Sequence, residues 1–129
     1  MKRATCLAIA ALAAPPGIAG EILPTLTPRA DGGPACYSQE ISLYGGRPLL
    51  AKLCVLAQSS IPTQYYAEIE DKLVMAGTDD EIAEGVSGSF QDTPLTLRCL
   101  PAAMAAGRKD CSLRVANLLE LMRVAIEQP

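Results

Sequence analysis

Four cysteines, Cys36, Cys54, Cys99 and Cys111, constrain this chain more than any other feature. They follow a segment that reads as an export leader, and an even cysteine count in a short exported chain implies two disulfides. Three connectivities are possible. Cys36–Cys54 with Cys99–Cys111 is favoured because each pair closes a short local loop, worth about 3 kcal/mol apiece in the chain-entropy model. The competing reading, a four-thiolate metal site, lacks any C-x-x-C knuckle and would sit in an oxidising compartment.

The leader is read over residues 1–19. Lys2 and Arg3 supply the positive start, Ala4 to Ala14 the apolar run, and Gly17-Ile18-Ala19 the small residues of a cleavage site. Cleavage is expected after Ala19, with Ala13 as the alternative. The apolar run falls short of the roughly 20 residues of a membrane span. The leader has the economy of a bacterial one, so a periplasmic or extracellular location is expected.

Composition narrows the chemistry. The chain has no His and no Trp, one Phe and four Tyr. Catalysis by Ser-His-Asp or Cys-His, and His-ligated metal or haem, are excluded; base-stacking platforms are disfavoured. Net charge is −3 for the 129 residues, which argues against nucleic acid as a partner. Half of the 14 acidic residues fall in one window: Glu68, Glu70, Asp71, Asp79, Asp80, Glu81 and Glu84, against the single base Lys72.

Residues 20–34 are rich in Pro and Gly and read as an extended, mobile arm; residues 35–129 read as one disulfide-stapled domain. Tyr37 to Tyr44 is ambiguous. Pro48 is expected to open a helix with Leu49, Leu50, Leu53, Leu56 and Ala57 at helical spacing. A second helix is expected from Pro62-Thr63, with Tyr66, Ile69, Leu73 and Ala76 on one face, a Glu68–Lys72 pair along it and Gly77 as its cap. Thr78-Asp79-Asp80-Glu81 has the capping-box form and opens a short third helix. Leu95, Leu97 and Cys99 alternate with Thr96, Arg98 and Leu100, which predicts a β-hairpin with Val86 to Phe90 around Gln91-Asp92-Thr93-Pro94. Ala102 to Ala106 is read as one or two helical turns. Asp110 is expected to cap a final helix with Val115, Leu118, Leu119, Met122, Ala125 and Ile126 on one stripe. The expected fold is therefore mainly α, three to four short helices with one small hairpin and two disulfides.

Three groups are candidates for chemistry. Asp80 and Glu84 share a helix face in this reading, a spacing that paired-carboxylate hydrolysis would use, but the other acids have local roles in capping and ion pairing. Gly45-Gly46-Arg47-Pro48 resembles an anion cradle at a helix start, yet lacks the phosphate-loop forms. Ser59, Ser60 and Ser87 have no activating base. The chain is therefore expected to be a non-enzyme that needs no cofactor and no metal. The leading reading is a protein-binding module, of inhibitor or immunity type or an accessory of the cell envelope. It would engage a basic partner through the acidic window, with Tyr65 or Tyr66 as apolar anchor, one of these two lying in the core. The alternatives are a carrier of a small apolar ligand held between helices, and a small carboxylate-dependent hydrolase.

Overall fold

The computed structural model describes residues 23–103, 105–116 and 118–127, so the leader and its cleavage positions lie outside the described residues. Among the described residues strands make up 59% and helix 6%, which overturns the expected helical fold. In chain order the elements are β1 (Thr25–Leu26), β2 (Ala35–Ile41), β3 (Leu49–Leu56), β4 (Gln64–Ile69), β5 (Lys72–Thr78), α1 (Asp79–Glu84), β6 (Val86–Phe90), β7 (Thr93–Pro101), β8 (Arg108–Val115) and β9 (Leu119–Glu127). Two sheets result, one in the order β2-β3-β4-β5 and the other β1-β9-β8-β7-β6.

Within each sheet, β2 to β5 and β6 to β9 follow one another as antiparallel neighbours, a meander that needs only short connections. Inward-facing residues of the two sheets make one core. Leu53, Tyr65 and Ile69 from the first sheet meet the same cluster as Leu97, Leu113 and Ile126 from the second. The sheets are joined at one side by α1, whose Ile82 is buried, and by a close approach of β6 to β5. There a Cβ on Gly88 would lie 2.3 Å from the Val74 carbonyl oxygen. At the other side the Gln39 amide donates to the Leu121 carbonyl at 3.2 Å. Part of the expected arm is ordered against this side: β1 pairs in parallel with the end of β9, and the Ala125 N–H donates to the Pro24 carbonyl at 2.8 Å.

Three of the expected helices are strands, for local reasons. In β3, Leu49, Ala51, Leu53 and Val55 point inward, but Leu50, Cys54 and Leu56 on the outer face are apolar too, so the period of two is hidden. The second expected helix is the β4–β5 hairpin. Tyr65, Ala67 and Ile69 alternate inward along β4, and Lys52 rather than Lys72 stands opposite Glu68. The final expected helix is β8 and β9, with Val115 ending one strand and Met122, Val124 and Ile126 alternating inward on the other; Leu118 and Leu119 lie exposed at the connection. Among the described residues of 102–107 there is no helix, and the Ala102 N–H donates to the Arg108 carbonyl across the connection. Tyr37 to Ile41 belongs to β2. The capping box does open a helix: Glu81 accepts from the Thr78 N–H at 2.9 Å. The predicted hairpin is β6–β7.

Both favoured disulfides form. Cys36 and Cys54 are directly opposite on β2 and β3, with Cα atoms 4.1 Å apart; Cys99 and Cys111 are opposite on β7 and β8, 4.0 Å apart. The first bridge lies on the outer face of its sheet, with Cys36 exposed, while both sulfurs of the second are in the core.

The β4–β5 and β6–β7 turns have two central residues with positive φ, Glu70-Asp71 and Gln91-Asp92. This left-handed pair matches strand twist, but favours Asn and Gly. Replacing Gln91 by Asn and Asp92 by Gly is therefore expected to stabilise the fold by about 1 kcal/mol. Urea unfolding checks this; an unchanged or lower midpoint would show that the present side chains compensate the backbone strain.

Candidate functional site

A seven-residue strand, β5, separates the acidic window into two groups, about 20 Å apart at strand rise. At one end of the sandwich are Glu68, facing outward on β4, and the turn residues Glu70 and Asp71. Glu70 accepts from the Leu50 N–H at 2.7 Å and lies 3.9 Å from Arg47, while Asp71 pairs with Lys52 at 3.3 Å. These acids are thus met by bases. Asp79, Asp80, Glu81 and Glu84 sit at the other end on α1, all exposed. Asp79 pairs with Lys109 at 3.3 Å, and Glu81 is held by Thr78. The side chains of Asp80 and Glu84 form no ion pair or hydrogen bond among the described residues. The excess negative charge of the window therefore resides on α1.

The two tyrosines alternate across β4. Tyr65 is in the core with 0% exposure. Its hydroxyl donates to Asp79 at 2.6 Å, and Lys109 Nζ lies 5.8 Å from its ring centre. This residue ties β4 to α1 and β8 and is not available as a surface anchor. Tyr66 points outward, opposite Cys54 and Ala76. It lines a shallow depression of about 380 Å³ with Leu56, Gln64, Glu68, Leu73 and Ala76. Leu73 is 64% exposed, because a bulge between Ala67 and Glu68 brings it opposite Glu68 on the outer face.

Burial holds the Tyr66 phenol above its ordinary range, the Glu68 carboxylate acts in the same direction, and Lys52 opposes both. The folded state therefore keeps this proton more tightly than the unfolded chain. The resulting stability is complete below the usual tyrosine value of about 10 and is lost as pH rises through the higher folded value. Unfolding measured from neutral to strongly alkaline pH should show this loss in the native chain and a smaller one in Tyr66→Phe. Equal losses would assign the effect elsewhere.

The other motifs are structural in their surroundings. Gly45-Gly46-Arg47-Pro48 lies in the β2–β3 connection, where the Gly46 N–H donates to the Leu43 carbonyl at 3.0 Å, and no helix follows it. Ser87 is exposed on β6, and Ser59 and Ser60 lie in the β3–β4 connection. Among the described residues no three His, Cys, Asp or Glu side chains gather as a metal site. No helix there is long and apolar enough to cross a membrane. The sequence reading missed the surface role of Leu56 and Leu73, which it assigned to helix cores. The signal was the β4 alternation Gln64, Tyr66, Glu68, which marks the outward face on which both fall. Comparison with protein-family models, with curated proteins and with solved structures finds no match to this chain.

Proposed function

We propose that this chain is an exported, non-enzymatic binding module that engages a protein partner through the outer face of β4 and β5. What supports the reading is a single arrangement: an apolar strip of Leu56, Tyr66, Leu73 and Ala76 that runs toward the unbalanced carboxylates of α1. An apolar centre with a charged margin is the anatomy of a protein contact. The fitting partner is a segment with an exposed apolar side chain followed by Lys or Arg, drawn in by charge and held by Tyr66 and Leu73. The core favours this surface reading over the carrier of an apolar ligand, because the inward positions are filled by packed side chains and the described residues form no layer of helices to enclose a cavity. It also disfavours the hydrolase reading, since Asp80 and Glu84 are exposed on α1.

The test starts from a partner recovered by the tagged protein from the cell envelope fraction. Leu73→Asp is expected to weaken its binding at least about tenfold at any salt concentration. Asp80→Asn with Glu84→Gln should slow association several-fold at low salt and have little effect at high salt. A partner that binds both variants as it binds the native protein would overturn the proposal.

A further inference from the structure

α1 is the chain's crossing from the first sheet to the second. At six residues it is too short to hold a helical shape without help from its surroundings. Its acids Asp79, Asp80 and Glu81 gather in the first turn, its last turn has no base, and Ile82 is its one buried residue. Glycines flank it on both sides. Gly77 stands ahead of the cap residue Thr78, and Gly85 closes the helix with a φ of 105°, which other residues rarely adopt. A short element seated by a single apolar side chain belongs to the part of a fold that opens before the rest.

What seats α1 comes from the strands around it. The Tyr65 hydroxyl of β4 donates to the Asp79 Oδ1 at 2.6 Å. Two cations reach across from the second sheet. Lys109 of β8 pairs with the same Asp79 oxygen at 3.3 Å, and Arg98 of β7 donates through its Nε to the Ala83 carbonyl at 3.1 Å. One cation thus meets the first residue of the helix. The other meets its C-terminal end, where positive charge complements the helix dipole. The Lys109 side chain is only 19% exposed and its Nζ lies 5.8 Å from the centre of the Tyr65 ring, whereas Asp79 is 52% exposed, so solvent ions reach the pair from the helix side.

We propose that α1 is a strap that opens as a unit while the sandwich stays folded, held shut by Lys109 on Asp79 and by Arg98 on the Ala83 carbonyl. Because the first clasp is an ion pair in contact with solvent, ionic strength sets how often the strap opens. Opening carries the four carboxylates of α1 away from the sheets and withdraws Ile82 from the core. The charge and the apolar surface at this end of the sandwich therefore change in one step. The strap is a property of the free protein and stands apart from the β4–β5 contact.

Native-state hydrogen exchange of the chain, followed amide by amide, tests this. The Ala83, Glu84 and Gly85 amides close the helix, the last by donating to the Glu81 carbonyl at 3.0 Å. They should exchange faster than the amides of the central strands β4 and β8, and several-fold faster at high salt than at low, with the strand amides unchanged. Lys109→Met should raise α1 exchange about fivefold at low salt and abolish its dependence on salt. Arg98→Gln should also raise it but leave the salt dependence, since the Ala83 carbonyl carries no net charge. The salt series on the native chain needs no substitution, so it reads the strap even if a variant fails to fold. α1 amides that exchange only at the rate of the strands, or an opening that neither salt nor Lys109→Met changes, overturn the proposal.

Discussion

A chain with alanine at both Cys99 and Cys111 is expected to lose about 3 kcal/mol from released loop entropy, and further stability from the space left in the core. Both side chains have 0% exposure and belong to the cluster that joins the two sheets. Alanine at Cys36 and Cys54 should also cost about 3 kcal/mol by the entropic route, but it leaves the centre of the core filled. Partial reduction separates the two bridges a second way. Cys36 is exposed, so Cys36–Cys54 should be reduced and alkylated first, while Cys99–Cys111 persists until the sheets open. Mass spectrometry of alkylated peptides reads the order. Simultaneous reduction would mean that both bridges become accessible only by global unfolding.

Gly88→Ala is expected to be as damaging as loss of a disulfide, at about 3 kcal/mol. The added methyl would lie 2.3 Å from the Val74 carbonyl oxygen and 3.1 Å from its carbon. That neighbour is backbone, so relief requires β6 to move away from β5 and opens the sandwich where α1 links its sheets. Ser89→Ala, on the exposed side of the same strand, should stay within about 0.5 kcal/mol of the native protein. Val74→Ala should not rescue Gly88→Ala in chemical denaturation. Rescue would show that the Val74 side chain, not its carbonyl, sets the spacing.

The legible parts of this fold are those where a residue type permits one geometry. Pro101 forbids a helix through Arg98 and leaves the alternation of Leu95, Leu97 and Cys99 to be read as a strand. Thr78 and Glu81 specify a helix start whatever surrounds them. The cysteines pair locally because each pair lies in adjacent strands. The strand β3 was not legible because it carries apolar residues on both faces. Leu50, Cys54 and Leu56 cover the outside of β3 around a disulfide and Tyr66, and so imitate a helical stripe. The β4–β5 turn is built from Glu70 and Asp71, without the Asn or Gly that announces a hairpin. For the candidate site, the sequence shows how many acids there are but not that a strand divides them.

The pairing of β1 with β9 has a consequence for the order in which the molecule can be completed. Thr25 finds its partner, Ala125, about a hundred positions later in the chain. As the polypeptide emerges from its N-terminus, the hairpins from β2 onward can each close on residues already present, since their partners are near in sequence. The first strand cannot. It must remain unpaired until the last strand has been made, and its docking then covers the open end of β9, where an exposed ladder would otherwise invite another chain. Chains truncated before Ala125 would lack this seal and leave the end of β9 open to pairing with another chain.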